Sequence, residues 1–219
     1  MSSLRLIADR LYCHGLLFAA VLFCAANAAD EVRAANIVAV EEHWEVLVGE
    51  PNGDASGPQI TMVMSPTYNL GADFFLFTIN HHTEPSFSAG GMQVQHWYNE
   101  DLQEAQLGPD EGLLSHNNET ISWVQRMSID GGNLTFEIKN GSSQSWGSFG
   151  GNGHLRISAP TLQPNLNDYL PAISLTDSGV NYGGNRVESV TLKLLRWWDD
   201  EGNVFQYEAP IDVDTDLDP

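Results

Sequence analysis

The sequence predicts an all-β protein, one antiparallel two-sheet β-sandwich of about nine to eleven strands. Three observations carry this expectation. Period-two alternation of apolar and polar residues recurs along the chain, while helical spacing is rare. Glycine- and asparagine-rich turn signals punctuate the alternating runs at short intervals. The chain has 219 residues, 42% of them hydrophobic, enough to bury a core without a disulfide or metal staple.

The elements follow in order. Over 37–48, Val38, Val40, Trp44, Val46 and Val48 share one face, interrupted by Glu42, and Glu41, His43 and Glu45 share the other. Residues 60–64 place Ile60, Met62 and Met64 together. Residues 74–79 are apolar on both faces, the pattern of a strand covered on both sides. Over 92–98, Met92, Val94 and Tyr98 oppose Gln93, Gln95 and Trp97. Residues 101–107 fit either a helix or an edge strand. Alternation resumes over 120–130 and 133–139, where Leu134, Phe136 and Ile138 oppose Thr135, Glu137 and Lys139. Further strands are expected over 153–158, 187–198 and 203–208. Asp130-Gly131-Gly132-Asn133 reads as a hairpin turn, because glycine supplies the positive φ that primed turns need. Asp199 to Asn203 reads as a second. Residues 160–183 carry Pro160, Pro164 and Pro171 and read as a long connection or a short helical turn.

Residues 1–28 read as a signal peptide. Arg5 and Arg10 precede an apolar run from Leu16 to Phe23, and Ala26-Asn27-Ala28 supplies small residues at a cleavage site. The expected organisation is therefore a signal peptide (1–28), a single sandwich domain (29–210) and an acidic tail (211–219) in a secreted, extracellular or periplasmic protein. The chain has 9 Lys+Arg against 29 Asp+Glu, a formal charge of −20; residues 29–219 hold 7 cations and 28 acids, giving −21. Nucleic acid and anionic membranes are disfavoured as partners, since both need a basic face. Both cysteines, Cys13 and Cys24, precede residue 29, so thiol catalysis, disulfides and cysteine-held metals are excluded beyond it.

Trp123-Val124, then Asp130-Gly131-Gly132, then Leu134-Thr135-Phe136 and Gly141 resembles the hairpin of laminin-G and concanavalin-A-like sandwich domains. Those hairpins have a tryptophan-led strand, a D-G-G turn and a second strand ending in glycine. Arg186-Val187-Glu188-Ser189-Val190 resembles their closing strand. The resemblance implies two curved sheets of jelly-roll or concanavalin-A-like type, with frequent calcium and carbohydrate binding. It carries over no site residue. The E-x-D-x-x-E strand motif of the glucanases that share this architecture is missing, which argues against glucanase activity.

Candidate sites follow from the polar faces. Gln93, Gln95 and Trp97, with Asn99 at the strand end, offer an indole that stacks on a pyranose and amides that meet its hydroxyls. Arg126, Glu137, His154 and Arg156 lie on polar strand faces and are expected to line the same sheet. The alternative is an ordinary solvated face. Trp146, in a Gly/Ser-rich segment, is a rim aromatic or a ring folded back over the core. Trp197-Trp198 places one ring on each face, with at least one expected in the core. Calcium is the one cofactor left open, with Asp199, Asp200, Glu201 and Asn203 on a preorganised turn as its ligands. His81-His82, with His43 and His96, is a weak metal signal, because neighbours on a strand point to opposite faces. Glu42 is expected to be solvated at a strand end; buried, it would have a raised pKa. The leading expectation is a secreted, non-catalytic module that binds carbohydrate or an extracellular surface. The alternatives are a polysaccharide-cleaving hydrolase or lyase on the same fold, and a structural envelope or matrix protein.

Overall fold

A computed structural model describes residues 35–49, 58–80, 91–108, 114, 116, 118–182, 186–208 and 210–213. The signal segment, the His81-His82 pair and residues 214–219 of the acidic tail lie outside the described residues.

The chain forms two antiparallel sheets, an all-β sandwich compatible with a jelly-roll-like fold. The larger has eight strands. They are β1 (Ile37–Val48), β6 (Glu119–Asp130), β7 (Asn133–Ser143), β8 (Gly147–Phe149), β9 (Arg156–Pro160), β11 (Val187–Asp199), β12 (Val204–Tyr207) and β13 (Ile211–Asp212). Their order is β12-β11-β1-β6-β7-β8, with β13 also on β11 and β9 also on β7. The smaller sheet contains β2 (Gln59–Met64), β3 (Asp73–Ile79), β4 (Met92–Tyr98), β5 (Asp101–Leu107) and β10 (Gly179–Tyr182), in the order β10-β2-β3-β4-β5. One short helix, α1 (Pro171–Asp177), precedes β10.

Alternation decides what is buried. From the large sheet, Val40, Trp44, Val46, Ile121, Trp123, Met127, Phe136 and Ile138 point inward. From the small sheet, Ile60, Met62, Met64, Phe75, Phe77, Ile79, Met92 and Val94 meet them. Phe75 stacks on Phe136 at 5.1 Å and Phe77 meets Trp123 edge-on at 5.5 Å, so aromatic pairs join the two layers.

The Asp130–Asn133 turn is the expected two-residue hairpin, with Gly131 at φ 54° and Gly132 at φ 78°. Thirteen strands are present among the described residues, against the nine to eleven expected. The additions β8, β10 and β13 have two to four residues each, too short for alternation to register. Residues 101–107 are an edge strand. The strand expected over 153–158 runs instead over Arg156–Pro160, because Gly151 and His154 close a tight bridge with Asn152 and Gly153 at positive φ. Of residues 160–183, those up to 182 are described; they contain both the connection and the helix, and then β10. β3 is buried most fully on its inner face, at Phe75, Phe77 and Ile79; on its outer face Thr78 is buried, and Phe74 and Leu76 are half-buried. Of the segment read as a tail, Ile211–Asp212 pair with β11.

Candidate functional site

The outer face of the small sheet carries the amide–indole row. Trp97 Nε1 donates to Gln95 Oε1 at 2.9 Å, and Gln95 Nε2 donates to Gln93 Oε1 at 2.6 Å. Phe74 lies directly opposite Trp97 on β3, its ring parallel within 3° at a centroid separation of 6.1 Å. Farther across the sheet, Asn181 Nδ2 donates to Thr61 Oγ1 at 2.7 Å. The face thus presents two parallel rings beside a chain of oriented amides, all uncharged. Asn99 does not line it. Asn99 occupies the tight β4–β5 turn at φ 51°, and its backbone N–H donates to Ala72 O at 3.0 Å.

Arg126 is not on this face. It lies on β6 of the other sheet, as do Glu137 and Arg156 on β7 and β9, so the expectation that these residues share the Trp97 sheet is corrected. Period-two alternation assigns faces but not sheets, and sheet membership is a long-range property. On the large sheet these residues form a row. Arg196 pairs in register with Glu41, Glu41 with Arg126, Arg126 with Glu137, and Glu137 with Arg156, across β11, β1, β6, β7 and β9. Arg126 Nη1 donates to Glu41 Oε1 at 2.8 Å; Lys139 and Arg196 approach the same carboxylate at 3.5 and 3.9 Å. His43 Nε2 lies 3.6 Å from Glu41 Oε2. Burial pushes the Glu41 carboxyl up, but the neighbouring His43, Arg126 and Lys139 outweigh it and hold the pKa at about 2. Trp198 projects on this face beneath Arg126, whose guanidinium carbon is 4.7 Å from the ring centre. Trp197 faces the other way, packs against the core and stacks on Phe205 at 5.7 Å. Each ring takes its own face as expected, but neither is fully buried.

Glu42 corrects a second expectation. It is not solvated but fully buried on the inner face of β1. Trp44 Nε1 donates to Oε2 at 2.9 Å and Gln125 Nε2 to the same oxygen. Ser174 Oγ donates to Oε1 at 2.6 Å, joined there by the Tyr169 hydroxyl. Burial raises the Glu42 pKa, and these donors offset only part of that rise. The carboxyl is sealed, so it latches the β9–α1 connection to the core and meets no solvent.

Trp146 is buried, meeting Phe149 edge-on at 6.2 Å, and takes the core position rather than the rim. Ser145, beside it, is gripped by Glu119, which accepts from its backbone N–H at 2.6 Å and its hydroxyl at 2.7 Å. At the calcium candidate, Asp199 Oδ1 accepts from the N–H groups of Glu201 and Asn203, and its Oδ2 accepts from the Asn203 amide. Asp200 turns away to accept from Asn36. These carboxylates close the hairpin instead of converging, and no group of three or more His, Cys, Asp or Glu side chains is placed to hold a metal among the described residues. His96 Nε2 lies 2.8 Å from Asp73 Oδ1, with its ring on Phe75, a buried structural pair.

Comparison with family models, curated proteins and solved structures gives no match to this chain. Of the residues that make the sites, alternation flags Gln93, Gln95, Trp97, Glu41 and Arg126. Phe74 was hidden by its apolar strand, and three of the donors to Glu42 (Gln125, Tyr169 and Ser174) by their separation in sequence.

Proposed function

We propose that this protein is a secreted, non-catalytic carbohydrate-binding module that uses the outer face of its five-stranded sheet, in a laminin-G or concanavalin-A-like sandwich. The observation that carries the reading is the parallel Phe74–Trp97 pair beside the Gln93–Gln95–Trp97 hydrogen-bond chain. Rings on a rigid sheet stack against the apolar face of a sugar at little entropic cost, and fixed amides meet its hydroxyls. The uncharged row suits a neutral glycan. Glu42, a carboxyl with a raised pKa, is sealed in the core and bound by four donors, out of reach of a glycan on either outer face. Titration calorimetry against neutral β-glucan, xylan and mannan tests the reading. Binding to at least one polymer is expected, weakened tenfold or more in Trp97→Ala and in Phe74→Ala. If the unmodified protein binds none of the three, the reading fails.

A further inference from the structure

The geometry points to a second binding surface, the outer face of the eight-stranded sheet, whose partner is an acidic polysaccharide recognised through its uronate carboxylates. Arg196, Glu41, Arg126, Glu137 and Arg156 stand in register on five successive strands. At about 4.8 Å per strand this row is roughly 19 Å long, the scale of several sugar rings rather than one. Both ends are cationic. Lys139 adds a fourth cation against the row's two carboxylates. Four of the seven Lys and Arg after residue 28 are gathered in and beside this row, in a chain whose net charge is −20; Lys193 stands apart from it, beside Glu45.

Depth sets Glu41 apart. Its side chain is 8% exposed, against 25, 32 and 32% for Arg126, Lys139 and Arg196 around it, while Glu137, at 24%, lies level with Arg126 and below Arg156 at 49%. Glu41 therefore sits lower and orients the cations about it, and the more exposed cations present the surplus charge to solvent. Their donors are not used up. Arg156 and Arg196 approach their carboxylates only at 3.7 and 3.9 Å, beyond hydrogen-bond length, which leaves planar N–H forks for a further carboxylate. Trp198 fixes the Arg126 and Arg196 planes from below, at 4.7 and 6.0 Å. Beside the Glu137–Arg156 pair, the Thr135 and Ser158 hydroxyls lie 2.9 Å apart, where sugar hydroxyls would meet them. The cations already hold carboxylates, so a uronate meets the chemistry for which they are arranged. At 0.15 M salt the screening length is about 8 Å, so acids elsewhere on the molecule repel the polymer weakly.

The test is calorimetric titration of the full chain with polygalacturonate and polymannuronate, using fully methyl-esterified polygalacturonate as the neutral partner. Binding to a polyuronate that weakens with added salt, and none to the ester, is expected. The double variant Lys139→Gln/Arg156→Gln removes one cation tied to Glu41 and one tied to Glu137 and should lower affinity at least tenfold while the chain stays folded, which an unchanged circular dichroism spectrum checks. Lys193→Gln removes the same kind of charge beside Glu45, about 13 Å along the strand, and should bind as the parent does. Absence of binding to both polyuronates overturns the proposal. So does equal binding to the ester, or an equal loss in Lys193→Gln. Sedimentation separates the remaining occupant: self-association undone by Lys139→Gln/Arg156→Gln, without polyuronate binding, makes the face a contact between copies instead.

Discussion

Glu41 and Glu42 are neighbours in sequence, yet strand geometry sends their carboxyls to opposite faces and their proton affinities in opposite directions. For Glu41 the folded-state pKa of about 2 lies below the ordinary value of 4.5. Its contribution to stability is thus complete above 4.5 and is lost as pH falls towards 2. For Glu42 the folded-state value lies above 4.5, so its contribution is complete below that value and is lost as pH rises through the raised one. Urea unfolding of Glu41→Gln and Glu42→Gln across pH 3–8 checks both signs. The deficit of Glu41→Gln should grow with pH, to on the order of 2–3 kcal/mol. Glu42→Gln should gain on the parent as pH rises, because it keeps an acceptor for Trp44 and Gln125 without the buried charge. Glu42→Leu removes every acceptor, and at about 1–3 kcal/mol per stranded donor it should lose more than ~4 kcal/mol. A pH-independent difference for Glu42→Gln would refute the buried titration. The interruption of an apolar strand face by Glu42 was legible in the sequence. Its compensation was not, since Tyr169 and Ser174 lie 127 and 132 residues away.

Strands with sustained alternation, such as β1, β4, β6 and β7, were readable because half of each is buried and the other half is not. The exceptions are elements whose existence depends on a partner: β8 has three residues, and β10 follows a proline-rich connection that only its contact with β2 turns into a strand. Gly141 shows how a local signal and a long contact coincide. It was visible as the glycine ending the second hairpin strand, and in the fold the Phe149 ring of β8 lies directly over it. A Cβ at Gly141 would overlap that ring, and Phe149 is buried against Phe77 and Trp146 with little room to retreat. Gly141→Ala should therefore destabilise the protein by about 1–3 kcal/mol, the cost of overpacking. Gly151→Ala, where φ is 71° and no atom lies within 4 Å of the added methyl, meets the backbone cost alone, about 1 kcal/mol. Denaturation of both variants measures the contrast; equal losses would mean that the Gly141–Phe149 contact carries no packing energy.

Across the whole molecule, cations are concentrated while acids are spread. The Arg196–Glu41–Arg126–Glu137–Arg156 row was invisible in the sequence because each step needs the register of two strands far apart in the chain. Gathering cations there leaves other surfaces without them: Glu100, Asp101 and Glu104, at the exposed edge β5, take part in none of the ion pairs among the described residues. Repulsion between such acids opposes folding over long distances and is screened by salt, whereas the Glu41 pairs are short and partly buried and are screened less. The balance at −20 therefore favours the folded state as salt rises. Raising NaCl from 0.02 to 0.3 M shortens the screening length from about 20 to about 6 Å. The melting temperature should climb by a few degrees, at about 2–4 °C per kcal/mol for a chain of this size. Most of that gain should come below 0.3 M, which distinguishes screening from the slower rise that excluded salts give. Asp101→Lys/Glu104→Lys should raise the melting point most at low salt and flatten the response. A melting point that is constant or falls over this range would show that the ion-pair row, not the dispersed acids, dominates the electrostatics of the fold.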